Sequence, residues 1–430
     1  MRIDIENLAA VGRADVEIDG ITVIAGANDT GKSTVSKALW CMFDSFYKYE
    51  KQFDSYRQNA IESAVRSTLP KNMSLRAPSS LFVRRITQDI IDGIKTSKGG
   101  SEAIDDILVK TIENAVRRGL FSAPPEDWDS FEPLRHMLED IVSYDDVQLI
   151  RGVMNNNFMS EFSEQPSNAD SPDERGTVKL TIQGESTTAT IANNEVVDIS
   201  SLTHLDVRAI YMDDPFILDD IAYGYGSARA GDLFDEDRHQ RLRRLMRRGQ
   251  RRNGNVLSEM MTEDRLSKVL EQIDIALSGH NTRNNSRELL YIPEGYDSPI
   301  NARNISAGMK AFCILDLLLR NGSIEHKSTI ILDEPEVHLH PEWQLVFAEL
   351  IVLMQKAFDL HVLLTTHSPY FLRAIQVYAA KHSIATHCRY YHARRVDKWC
   401  EISDETDRTA PIFDELVRPF EELEREMGKL

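Results

Sequence analysis

The sequence predicts an α/β fold, with one head divided between the two ends of the chain and a helical insertion and an antiparallel β lobe between them. Three observations predict it. The apolar run Ile21-Thr-Val-Ile-Ala25 leads straight into Gly26-Ala-Asn-Asp-Thr-Gly31-Lys32-Ser33, and Val35, Ala38, Leu39, Met42 and Phe43 then recur at helical spacing. A second β-branched run, Ser328-Thr-Ile-Ile-Ile-Leu-Asp333-Glu334, ends in two acids. Between the two, apolar residues first follow a helical period and later alternate.

Residues 1–45 are expected to hold a strand pair, the glycine loop and its helix. Gly26 and Gly31 permit backbone angles that turn amide N–H groups onto a phosphate, and the following helix points its positive end at the same place. The whole stretch Gly26, Ala27, Asn28, Asp29, Thr30, Gly31, Lys32, Ser33 and Thr34 is the candidate phosphate cradle. Lys32 is placed to reach the outer phosphates, and the Ser33 hydroxyl to ligate magnesium. At the second run, acids on a strand's C-terminal edge lie where open α/β sheets bind ligands. Asp333 is therefore the candidate magnesium partner, and Glu334 the base that polarises an attacking water. An apolar strand ending in Asp-Glu is common by itself; its pairing with the glycine loop makes it a site. The implied cofactors are ATP and Mg2+.

Residues 46–175 read as a helical insertion and linker. Ile86, Ile90, Ile91 and Ile94, then Ile104, Ile107, Leu108 and Ile112, keep a helical period, and the polar stretch Asn155–Glu174 reads as a loop. Residues 176–225 are the antiparallel β lobe, from the alternation in Val178–Ile182 and Thr188–Ile191 and the run Glu195–Ile199. Residues 226–284 form an arginine-rich helical segment, 285–380 the second part of the head, and 381–430 a C-terminal tail closing in an amphipathic helix.

Between Arg238 and Arg252 lie eight arginines and no acid, in a chain of net charge −18. Such a stretch could bind DNA, an acidic trigger protein, or the chain's own acidic surface in another subunit; a solvated helix or loop is the bland alternative. The overall acidity argues against generalised nucleic-acid binding. No apolar stretch reaches the length of a membrane span and no signal peptide precedes the first strand, so the expectation is a cytoplasmic protein with no membrane partner. Cys41, Cys313, Cys388 and Cys400 are scattered without metal spacing, as reduced thiols would be.

Ser306-Ala-Gly308-Met-Lys310 offers a hydroxyl, a close backbone approach at Gly308 and the positive end of a following helix, although an ordinary helix cap would use Ser306 in the same way. Together with Leu332-Asp-Glu-Pro-Glu-Val-His-Leu-His-Pro341 and Leu364-Thr-Thr-His367-Ser-Pro369, these residues resemble the OLD/RecF/SMC-related branch of ABC-type P-loop ATPases. Within it they are most similar to the small AAA-family ATPase subunits of bacterial anti-phage systems, the PtuA type of Septu or the AriA type of PARIS. The resemblance implies an ABC-type ATPase head in which Ser306 and Gly308 contact the γ-phosphate of ATP on a neighbouring copy, so the partner is a homo-oligomer through shared ATP sites. It also implies that His367, otherwise a capping turn, senses that phosphate. Lys32, Glu334 and His367 are thus the catalytic candidates. Asp213, between the glycine loop and Ser306, is the candidate for the family's glutamine-loop function.

Departures from transporter-type relatives are Ala307, Met309 and His340; His338 and His340 lack the companions of a zinc site. OLD proteins that carry a nuclease place it after the switch histidine, where about sixty residues remain. The expected function is therefore a nucleotide-gated switch or scaffold in a defence complex, with a separate effector protein, a nuclease. The alternatives are a RecF/SMC-like DNA maintenance ATPase, a transporter's nucleotide-binding subunit, and a scaffold that holds ATP without turnover.

Overall fold

The computed structural model describes residues 1–68, 79–97, 103–120, 131–221, 237–247, 256–284 and 288–429. The chain divides into two compact units, one of Met1–Tyr47 with Val153–Leu430, the other of Lys48–Gly152.

In the larger unit, β1 (Arg2–Leu8) and β2 (Val11–Glu17) form an antiparallel pair and β3 (Ile21–Ala25) is wholly buried. Helix α1 (Lys32–Phe46) follows the glycine loop. The smaller unit holds α2 (Tyr49–Thr68), α3 (Ser79–Thr96), α4 (Ile104–Arg117) and α5 (Glu132–Ser143). Its own core buries the expected helical-period residues Ile86, Ile90, Ile104, Ile107, Leu108 and Ile112 together with Ile61, Phe82 and Leu138, while Ile91 and Ile94 pack against it partly buried.

Helix α6 (Asp146–Glu161) takes the first seven residues of the expected loop at Asn155–Glu174, while 162–174 form a loop as expected. Asn155, Asn157 and Glu161 look like loop residues. In the fold Asn157 donates to Asp44 and Ser45, the Asn155 amide oxygen accepts from the Val196 N–H, and Glu161 meets an arginine. Polar residues with buried partners are compatible with a helix.

The chain returns in β4 (Gly176–Ile182), β5 (Glu185–Ala192) and β6 (Glu195–Ile199), an antiparallel meander. Its turns, Gln183-Gly184 and Asn193-Asn194, have positive φ at both residues, the backbone that two-residue hairpins prefer. Next comes β7 (Ala209–Met212), then helices α7 (Ile217–Ile221), α8 (Arg238–Arg247) and α9 (Val256–Leu277). A three-stranded sheet follows, made of β8 (Gly279–Arg283), β9 (Leu289–Pro293) and β10 (Ile300–Asn301). The remaining elements are α10 (Ala307–Arg320), β11 (Thr329–Asp333), α11 (Pro341–Phe358), β12 (His361–Thr366), α12 (Pro369–Lys381), β13 (Cys388–Val396), β14 (Trp399–Asp404) and α13 (Ala410–Met427).

One eleven-stranded sheet orders these strands β6-β5-β4-β1-β2-β14-β13-β3-β12-β11-β7. The five strands β13-β3-β12-β11-β7 are parallel, and β6-β5-β4-β1-β2 form an antiparallel wing. Two expectations change. β7 falls within the stretch assigned to the antiparallel lobe, yet it pairs in parallel with β11. Residues 381–430 are more than a tail, because β13 lies against β3 at the centre of the sheet. Its buried Tyr390, Tyr391 and His392 hide the apolar signal of a central strand. They are tolerated because the Tyr391 hydroxyl accepts from the Glu17 N–H and His392 pairs with Glu415 at 2.7 Å. All four cysteines are buried and reduced.

Candidate nucleotide-binding site

The glycine loop leaves the end of β3, where the Gly26 N–H donates to the Thr366 carbonyl of β12 at 3.3 Å. A Cβ at Gly26 would stand 2.0 Å from the Ala393 carbonyl oxygen, so the close approach of β13 demands glycine. Gly31, at φ 79°, is left-handed, and a Cβ there would meet a Val11 methyl at 2.6 Å. Lys32 opens α1 with its side chain only 3% exposed, and its ammonium donates to the carbonyls of Gly26 (3.1 Å) and Ala27 (2.7 Å). The Thr30 hydroxyl donates to the Ala27 carbonyl, and Asp29 pairs with Arg395 at 3.3 Å. A cleft of about 300 Å3 is lined by Ala10, by Asn28 through Thr34, and by Glu334. The first turn of α1 opens on it, with the positive end of the helix.

Glu334, just past the end of β11, lines the same cleft, and Asp333 beside it contacts the cleft residue Ser33. The Ser33 hydroxyl donates to Asp333 Oδ1 at 3.1 Å, and the Thr365 hydroxyl donates to the same oxygen. Asp333 Oδ2 accepts from Tyr211 at 2.7 Å, and burial together with Asp333 pushes that phenol well above its ordinary range. Two hard oxygen donors, from Ser33 and Asp333, therefore face each other, a donor set that suits Mg2+. Glu334 takes a left-handed backbone, φ 50°, which costs a non-glycine residue about 1–3 kcal/mol. Its N–H is held by the Thr365 carbonyl (3.2 Å) and hydroxyl (3.0 Å). The bend puts the carboxylate between Lys32 Nζ (3.2 Å) and His367 Nδ1 (3.4 Å). Lys32, Ser33, Asp333, Glu334 and His367 thus meet in one place.

Sequence reasoning missed Glu336. Its side chain is 2% exposed, and Oε1 accepts from the Thr366 hydroxyl and from the His367 N–H at 3.1 Å. The His367 ring nitrogen Nδ1 lies 3.7 Å away. Burial pushes the Glu336 carboxyl up, against the pull of those hydrogen bonds. The available signal was the acid following Asp333-Glu334-Pro335, in a segment whose other polar side chains are easily solvated. Tyr211 was missed because its neighbour Asp213 drew attention as the charged candidate.

Ser306 and Gly308 are absent from the cleft lining. Ser306 is exposed at the start of α10 and caps it, accepting from the Met309 N–H at 3.3 Å. At Gly308 a Cβ would press on the His338 carbonyl and Leu339 at 3.2 Å. Lys310 is buried, with its ammonium 2.6 Å from Asp219 and 4.8 Å from the centre of the Phe216 ring. His338 meets the same ring edge-on, and His340 caps α11.

Three arginines of the arginine-rich segment are committed within the chain. Arg238 on α8 pairs with Glu161 and Asp213, Arg241 with the buried Asp44, and Arg243 with Asp220. Arg248, Arg251 and Arg252 lie outside the described residues. Asp213, expected at the glutamine-loop position, is engaged by Arg238 at 2.6 Å and His239 at 3.0 Å. Burial alone would raise its carboxyl, but His239 and Arg238 outweigh burial and hold it at about 2.

Residues 21–373 match the family profile described as "AAA domain, putative AbiEii toxin, Type IV TA system". The chain belongs to this family. An AAA domain is an ATPase module, and ATPases of this type use ATP with Mg2+. Among solved structures the AAA chain is similar to the SMC head domain from Thermotoga maritima, at 10% identity over 94% of this chain and 97% of that one, with a TM-score of 0.40. It is also similar to the Smc head domain with an extended coiled coil bound to the C-terminal domain of ScpA, derived from Pyrococcus furiosus. That likeness has 12% identity, 97% and 98% coverage and a TM-score of 0.34. No match is found among curated proteins. Among the described residues no helix is long and apolar enough to cross a membrane.

Proposed function

We propose that this chain binds and hydrolyses ATP and uses the nucleotide to switch an assembly of identical subunits, which holds a separate effector protein in an anti-phage defence complex. The observation that carries the ATPase reading is the meeting of two motifs 300 residues apart, with Ser33 at 3.1 Å from Asp333 and Lys32 at 3.2 Å from Glu334. Lys32 and the α1 N–H groups compensate phosphate charge. Ser33 and Asp333 would hold Mg2+, which supplies further charge neutralisation at the phosphate oxygens. Glu334, exposed enough to meet water and already held at Lys32, orients the attacking water and takes its proton.

Exposed Ser306, at the positive end of α10, suits contact with ATP on a second copy. The defence setting is supported by the family description, which refers to a toxin of a toxin–antitoxin system. The test is a pair of variants assayed for nucleotide binding and phosphate release. Lys32→Ala should lose both, whereas Glu334→Gln should keep binding and lose turnover. Normal turnover by Glu334→Gln would remove the glutamate from its role. ATP-dependent DNA binding by the chain alone would favour a RecF- or SMC-like maintenance role over a defence switch.

A further inference from the structure

Helix α13 carries a seam of apolar residues at alternating spacings of three and four: Phe413, Leu416, Phe420, Leu423 and Met427. This is the heptad period of a helix that packs lengthwise against another helix. The two halves of the seam have different fates. Ile412 is fully buried, Phe413 and Leu416 pack on the core of the larger unit, the Arg373 guanidinium lies over the Phe413 ring at 4.3 Å, and Glu415 holds His392. From Arg418 onward every described residue is exposed. Phe420, Leu423 and Met427 are 62%, 66% and 67% exposed, although they continue the same stripe. Pro419 stands at the border between the halves.

The charges nearest the free seam are acidic. At about 100° per residue, Glu424 and Glu426 flank the seam on either side, with Glu421 beside Glu424. Arg418, Arg425 and Lys429 fall on the opposite face together with Glu422, and Arg425 pairs with Glu421 and Lys429 with Glu426. A second copy of the same helix would bring like charges together along the seam. A helix with an apolar stripe flanked by lysine or arginine would meet opposite charges there.

We propose that the Phe420–Met427 half of α13 is a docking surface for a basic amphipathic helix of a different protein. The seam supplies the apolar contact, and Glu424 and Glu426 select the partner by charge. The surface is separate from the nucleotide cleft, so its failure would leave the ATPase reading intact.

The test uses the full chain without nucleotide and two labelled three-heptad peptides with the same leucine seam, one flanked by lysine and the other by glutamate. Fluorescence anisotropy should show the lysine-flanked peptide binding at least about tenfold more tightly. Phe420→Ser with Leu423→Ser keeps every charge and should abolish that preference by weakening binding about tenfold or more. Glu424→Lys with Glu426→Lys keeps the seam and should invert the preference. Unchanged ATP turnover in both double variants would show that they are folded. Equal binding of the two peptides, or full binding by the serine variant, would overturn the proposal. So would a nucleotide-free dimer that the serine substitutions dissolve, because the occupant would then be a second copy.

Discussion

Removing the Glu336 carboxylate should damage stability and turnover by separable amounts. The Thr366 hydroxyl and the His367 N–H both donate to Glu336 Oε1, and the side chain is almost wholly buried. Glu336→Ala leaves both donors without an acceptor. Each such loss costs about 1–3 kcal/mol, so the variant should lose about 2–6 kcal/mol. Glu336→Gln retains a carbonyl acceptor and should stay within about 1 kcal/mol of the parent at low pH. Urea unfolding followed by tryptophan fluorescence measures both, because Trp40, Trp343 and Trp399 all lie in the larger unit.

The pH dependence follows from the raised carboxyl. An acid with a folded pKa above its unfolded value holds its proton longer in the folded chain. The parent therefore loses stability relative to the non-titrating Gln variant as pH rises from the ordinary carboxylate range through the raised value. Below that range the difference between parent and Gln variant becomes constant. In turnover, Glu336→Ala releases the His367 backbone that places the ring beside Glu334, and kcat should fall about 10- to 100-fold with little change in nucleotide affinity. Glu336→Gln should recover most of that kcat. An Ala variant with parental stability and parental kcat would refute the reasoning.

Arg241→Ala leaves Asp44 buried without its guanidinium and should cost about 3–5 kcal/mol, of which adding Asp44→Asn should return a part; urea unfolding reads both. The Asp213 contribution to stability is present above the ordinary carboxylate value of about 3.9 and is lost as pH falls through its folded value of about 2. The Asp213 hydrogen bond raises His239, whose contribution is present below the ordinary imidazole value and is lost as pH rises through the raised one. Asp213→Asn should therefore flatten the stability–pH profile at both ends. Mixing Lys32→Ala chains with Ser306→Arg chains should restore part of the phosphate release, since a mixed dimer retains one intact composite site. No recovery in a demonstrated mixed assembly would count against nucleotide sharing between copies.

The sequence alone determined the parts whose information is local. Strand β3, the glycine loop and α1 are consecutive, so an apolar run, two glycines and a helical period suffice to place Lys32 and Ser33. Asp333 and Glu334 were legible because a fully buried parallel strand must read as an unbroken apolar run, and its polar end then stands out. Only the tertiary structure decided which distant groups meet. Tyr211 reaches Asp333 across 122 residues, and β7 had to be recognised as a parallel neighbour of β11 before that contact existed.

The arginine stretch left an outside partner, another subunit and a solvated surface all open because sequence shows charge without its neighbours. In the fold Arg238 and Arg241 are clasped by Glu161, Asp213 and Asp44, the last on α1 almost 200 residues away. β13 was hidden for the complementary reason, since Tyr391 and His392 are polar in sequence and buried in fact, each supplied with a partner by another element. Periodicity reports which face of an element is apolar. The partners that make a buried polar group tolerable are fixed by contacts between distant segments, and those exist only after the chain has folded.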